Sequence, residues 1–131
     1  MTRKNVSSGG PWEEIAGYSR AVRVGNQVMV AGTTAAQADG SVFGGNDGYL
    51  QAKRCFEVIE RALTEAGATM RDVIRTRMFV TDISHWQEYS RAHAEYFRDV
   101  KPAATMVEVR ALMTPEMLIE IEADAIIDTD P

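Results

Sequence analysis

Lys101-Pro102-Ala103-Ala104-Thr105-Met106-Val107-Glu108-Val109 and, beyond a Thr114-Pro115-Glu116 turn, Ile119-Glu120-Ile121-Glu122-Ala123 decide how this chain folds. Both stretches carry the two-residue period of β-strands, whose successive side chains point to opposite faces. In the first, Thr105, Val107 and Val109 alternate against Ala104, Met106, Glu108 and Arg110. In the second, Ile119, Ile121, Ala123, Ala125 and Ile127 alternate against Glu120, Glu122 and Asp124. A sheet that is apolar on one face and charged on the other calls for helices on the apolar side. Pro102 disfavours helix at Lys101 and starts the extended run.

Working outward, residues 73–81 also alternate, with Ile74, Thr76, Met78 and Val80 opposite Arg75, Arg77 and Phe79. Residues 21–24 and 27–31 flank Gly25-Asn26, a tight-turn signal that predicts a β-hairpin. Across 46–66 the apolar positions Ala52, Cys55, Phe56, Ile59, Ala62, Leu63 and Ala66 follow a helical period, and Gly67 is placed to cap the end. On its polar side the spacing predicts ion pairs of Lys53 with Glu57 and Glu57 with Arg61. A second helix is expected from Ser84, with Gln87 completing a capping box and Trp86, Tyr89, His93, Tyr96 and Phe97 forming the apolar stripe. The order ββ, α, β, α, ββ predicts an α+β sandwich with two helices on one face. Residues 1–16, polar and glycine-rich at first, are read as a flexible N-terminal arm, and 17–131 as a single domain.

Composition narrows the function. A chain of 131 residues with 45% hydrophobic and 25% charged residues suits one soluble globular domain. The net charge of -5 lacks the basic footprint of a nucleic-acid binder. Cys55 stands alone, which excludes an intramolecular disulfide and a CxxC site. His85 and His93 lack the i, i+4 spacing of a helical zinc pair, so no metal or cofactor is expected. No apolar run has the length of a membrane span, and the basic start is not followed by an apolar stretch, so the expected compartment is the cytoplasm.

The open sheet face carries acids at Glu108, Glu120, Glu122 and Asp124 and bases at Arg75, Arg77 and Arg110. Cross-strand charge pairing would satisfy them in water, each pair contributing about 0.2–1 kcal/mol. Met29, Phe79 and Met106 are assigned to the same open faces, and subunit association would bury them.

The residues Tyr18-Ser19, Ala21, Val24-Gly25-Asn26, Gly32, Ala66-Gly67-Ala68, Asp72-Val73, Thr81-Asp82, Lys101-Pro102-Ala103, Val107-Glu108-Val109, Leu112 and Glu120-Ile121-Glu122-Ala123 together resemble the RidA/YjgF reactive-intermediate deaminase family, also labelled endoribonuclease L-PSP. The resemblance spans 17–127. It implies a chorismate-mutase-like fold with a mixed sheet, and a homotrimer whose sheets face inward around a pocket at each subunit interface. In deaminating members an arginine grips the carboxylate of a 2-imino or 2-enamino acid, a glutamate-held water adds to the imine carbon, and ammonia leaves. Carried over, Glu120 is the catalytic glutamate, Tyr18 the pocket tyrosine and Gly32 the glycine beside the ligand.

The arginine position is Ala104, and alanine cannot hold an anion. Ala31 replaces a serine, Ser90 an asparagine, and Met106 completes the set of expected ligand-binding positions. Arg20 and Arg77 are the cations available as substitutes. The resemblance and its departures therefore imply a trimeric small-metabolite-binding protein without the usual imino-acid deamination. The alternative is an imine or enamine hydrolase in which Arg20 or Arg77 holds the substrate and Glu120 positions water. Ribonuclease action, with an acidic chain, ranks third.

Overall fold

In the computed structural model, which describes residues 2–128, one six-stranded sheet runs through the molecule. Its strands are β1 (Arg3–Val6), β2 (Ala21–Val24), β3 (Gln27–Thr33), β4 (Val73–Val80), β5 (Ala103–Glu108) and β6 (Ile119–Ile126), in the order β1-β2-β3-β6-β4-β5. The pairing of β4 with β5 is parallel and the others are antiparallel, so the sheet is mixed. The helices are α1 (Pro11–Ala16), α2 (Gly48–Ala66) and α3 (Trp86–Phe97). This is the α+β architecture that the alternation in β6 and the helical stripes call for.

The core lies between the sheet and the pair α2 and α3. Val28, Val30, Val73, Met78, Val80, Ile119, Ile121, Ala123 and Ala125 face it from the strands, and Ala52, Cys55, Phe56, Ile59 and Leu63 from α2. From α3 come Tyr89, Ala92 and Phe97. Asp47 caps α2 by accepting the Leu50 N–H at 3.1 Å, and Gly67 ends it at φ 90°. Gly25, at φ 62°, makes the hairpin turn between β2 and β3.

One buried polar residue ties the loop before α2 to the segment entering β6. Gln51 Nε2 donates to the carbonyls of Gly45 at 2.7 Å and Glu116 at 2.9 Å, and its Oε1 accepts the Leu118 N–H at 2.9 Å. Two residues after Leu118 comes Glu120, so this amide helps set where β6 begins.

Several sequence expectations are corrected. Where 1–16 reads as an arm, Arg3–Val6 pairs antiparallel with β2 and Pro11–Ala16 is helical. Only Val6 of β1 is buried, so the strand has no alternation to betray it. The α2 ion pairs form differently: Lys53 reaches across to Glu95 on α3 at 3.3 Å, and Arg54 meets Glu57 at 3.8 Å. Asp82, rather than Ser84, provides the capping side chain ahead of α3, through the Ser84 N–H. Trp86 is half exposed instead of packed. Ile74 is likewise exposed, because the β4–β6 register shifts between Val73 and Arg75.

The faces of β5 also differ from expectation. Met106 is opposite the buried Met78 and packs against the core, whereas Val107, opposite Phe79, is exposed. Met106 and Ala104 therefore lie on the helix side. The cause is that β5 is an edge strand with apolar residues on both faces, so periodicity does not choose between them.

Candidate functional site

The expected site residues fall into two groups on opposite sides of β4. The first group belongs to the open face, on the segment that leads into β2 and on β3 and β6. Gly32 and Glu120 are in contact there: a Cβ placed on Gly32 would meet the Glu120 carboxylate. Arg20 Nη2 donates to the Gly32 carbonyl at 2.7 Å, and the guanidinium stands 5.6 Å from the Tyr18 ring centroid. Arg20 Nε is buried and finds no hydrogen-bond partner among the described residues.

Glu120 is partly buried. Loss of hydration lifts its carboxyl above the usual range, Arg20 pulls it back, and Glu122 adds to the lift. A carboxyl so placed holds a proton more readily than an exposed one and can exchange it with a ligand or a water. Beneath the sheet, burial and then the Glu120 charge push the Cys55 thiol up, which leaves it an inert core residue.

An open-face cleft of about 430 Å³ takes in Tyr18, Val22, Met29, Ala31, Glu122 and Asp124, among others. Tyr18 and Ala31 thus belong with the first group. Arg77 reaches the same acids, at 3.1 Å from Asp124 and 3.6 Å from Glu122. It forms the cross-strand charge pairs that the charged face promises.

The second group surrounds a smaller cleft of about 230 Å³ between α3 and β5, lined by Met78, Ser90, His93, Ala104, Thr105 and Met106. Ser90, Ala104 and Met106, three expected ligand-binding positions, meet here. His93 is a residue that the sequence reading leaves out of the site. Its Nε2 lies 2.8 Å from the hydroxyl of the fully buried Thr76, and burial lowers its pKa. The ring is wedged against Phe56 at 5.7 Å and Phe97 at 4.8 Å between centroids. The available signal was a pair: a threonine on the core face of a strand and a histidine on the core stripe of a helix, each in need of a polar partner.

The other histidine, His85, is exposed, with Nδ1 at 2.7 Å from Glu88 and Nε2 at 3.3 Å from Asp82. Among the described residues no group of three or more His, Cys, Asp and Glu side chains is arranged to hold a metal ion. No helix of the described residues is long and apolar enough to cross a membrane.

Comparison with known proteins places the fold. The family model for endoribonuclease L-PSP matches residues 11–127. An uncharacterised protein of Streptomyces coelicolor is 38% identical over 122 residues, covering 93% of this chain and 90% of that one. The 3-aminoacrylate deaminase RutC of Acinetobacter baylyi is 29% identical over 125 residues, covering 95% and 98%. A crystal structure from Mycobacterium tuberculosis, of a member of the highly conserved YjgF/YER057c/UK114 family, superposes with a TM-score of 0.88 at 48% identity, covering 96% of this chain and 100% of that one. The chain therefore belongs to the endoribonuclease L-PSP family, the RidA/YjgF family that its signature residues resemble.

Proposed function

We propose that the protein is a homotrimer that binds a small uncharged metabolite in a pocket at each subunit interface, and that it does not deaminate 2-imino or 2-enamino acids. The observation that carries this reading is the cleft beside Ala104, where none of the six lining residues has a fixed positive charge. A carboxylate taken out of water into such a site without a cation is strongly disfavoured. The trimer is supported by the separation of the two groups: Arg20, Gly32 and Glu120 lie across β4 from Ser90, Ala104 and Met106, and a second subunit supplies the missing half of each pocket, in which Arg20 is already engaged by the Gly32 carbonyl and the Glu120 charge. Exposed Met29 and Val107 give the open face apolar surface to bury.

A second reading is favoured by Arg20, whose buried Nε has no hydrogen-bond partner among the described residues and lies in the group that holds Glu120. In that case Arg20 takes a substrate carboxylate, Glu120 positions water, and the chain is an imine or enamine hydrolase, as the name of the A. baylyi relative suggests. Arg77 is the weaker substitute because Glu122 and Asp124 already engage it. Ammonia release from a freshly generated 2-imino acid separates the two readings. No acceleration over the spontaneous rate is expected of the wild type, and acceleration lost in Arg20→Gln would establish the second reading.

A further inference from the structure

The cleft beside Ala104 is lined by one ionisable side chain, His93. Ser90 and His93 lie three residues apart on α3, so both reach the same side of the helix. Across from them stand Ala104 and Met106 on β5. Histidine in this position is held from behind, by Thr76, and from the sides, by Phe56 and Phe97.

A neutral His93 has two tautomers, and a Thr76 hydroxyl that donates selects one of them. Thr76 is 0% exposed, so its hydroxyl proton is best satisfied by an acceptor within the protein. The His93 Nε2, at 2.8 Å, can be that acceptor. With Nε2 accepting, the single proton of a neutral imidazole sits on Nδ1. Burial, which lowers the His93 pKa, keeps the ring in that neutral form.

We propose that His93 is the ligand-selecting residue of this cleft, its Nδ1–H donating to the carbonyl oxygen of a small uncharged ligand, an amide or ketone, with the Ser90 hydroxyl beside it. This rests on the reading of the pocket as one for an uncharged ligand, and it adds which group recognises that ligand and by which atom. Ala104 leaves the space and removes the charge; His93 supplies the directional contact. One protomer's share of the cleft, about 230 Å³, leaves room for a small molecule.

The test is a titration of the full chain with pyruvamide and with pyruvate, followed in proton–nitrogen NMR spectra at the Ser90 and Ala104 amides and the His93 ring. Pyruvamide is expected to move all three sets of signals, with the free ring protonated on Nδ1. His93→Gln keeps a contact to Thr76 but has no Nδ1 donor, and should bind pyruvamide about five- to tenfold more weakly, the value of one neutral hydrogen bond. His93→Asn puts an amide nitrogen at the Nδ1 position and should stay within about twofold of wild type.

An Nε2-protonated wild-type ring overturns the assignment whatever the variants do. Undiminished pyruvamide binding in His93→Gln overturns the role of His93 and leaves the uncharged pocket standing. Tighter binding of pyruvate than of pyruvamide at Ser90 and Ala104 overturns the pocket reading itself, and no shift with either compound overturns both.

Discussion

The Glu120 carboxylate occupies the space that a side chain at Gly32 would take: a Cβ there would lie 1.9 Å from Oε2 and 2.9 Å from the carboxyl carbon. Glycine at this point lets an acid from β6 lie against the backbone of β3. The same carbonyl of Gly32 that accepts from Arg20 brings the cation into the neighbourhood of that acid. Gly32→Ala should therefore act on Glu120 before it acts on the fold. The carboxyl is the far end of a flexible chain and can swing out, so stability should change by less than about 1 kcal/mol, well below the usual cost of an overpacked core. Moved into water, Glu120 should titrate closer to an ordinary glutamate, because burial is the main cause of its raised pKa. Carboxyl-carbon NMR titration of the wild type and Gly32→Ala checks this, and an unchanged Glu120 titration would contradict it.

The behaviour of Gly48 should be the opposite. A Cβ at this first residue of α2 would stand 2.7 Å from a ring carbon of Tyr89, which is 1% exposed and has no room to move. Alanine ordinarily improves a helix over glycine by about 0.5–1 kcal/mol. Here Gly48→Ala should destabilise by about 1–3 kcal/mol, the cost of overpacking. Urea unfolding of the two glycine variants side by side measures the contrast, and a Gly48→Ala protein as stable as wild type would refute it.

The two histidines should titrate on opposite sides of the ordinary value of 6.5. The hydrogen bond to Glu88 raises His85, with help from the Asp82 charge, while burial lowers His93. Because His93 binds its proton more weakly folded than unfolded, its contribution is intact above the unfolded pKa and is lost as pH falls below it. Glu120 works in reverse: its raised pKa makes folding less favourable as pH rises from the ordinary carboxylate range through the raised value. Glu120→Gln should accordingly raise Tm at pH 7 and lose that advantage at pH 4. His93→Gln should flatten the loss of stability between pH 7 and 5. Thermal melts across this range check both signs.

The open face should be an interface. Met29 is 48% exposed in the middle of β3 and lines the larger cleft with Val22. A wild-type chain is expected to elute at three times its own mass, and Met29→Glu, which places a charge among those residues, should shift it toward monomer. Light scattering on both proteins measures this, and a wild-type monomer would remove the basis for pockets shared between subunits.

Where a strand is buried on one face and wet on the other, its sequence reads clearly, which is why Ile119 to Ala125 gave both the strand and its orientation. The hairpin turn and α2, with their Gly25, Gly67 and apolar stripe, were legible for the same reason. Strands whose residues see similar surroundings on both sides were not: β1 buries only Val6, and edge strand β5 has Ala104 and Met106 on one face against Thr105 and Val107 on the other. Helix α1 did carry a signal, in Pro11 at its first turn with Glu13 and Glu14 behind it. Of the candidate site, Glu120 and Gly32 were legible through the family signature, and Arg20 as a cation directly after its Tyr18-Ser19 pair. The bond of Thr76 to His93 was not, because nothing local links a strand residue to a helix residue that the fold brings against it.

Alanine at position 104 should have changed the chemistry as well as one side chain. This is tested most directly by ammonia release from a freshly generated 2-imino acid with the wild type, Glu120→Gln and Ala104→Arg measured against the spontaneous rate. The expected result is a wild-type rate indistinguishable from buffer and from Glu120→Gln, with acceleration appearing in Ala104→Arg, where a guanidinium can again grip the substrate carboxylate in two places. Wild-type acceleration by orders of magnitude, abolished by Glu120→Gln, would contradict it.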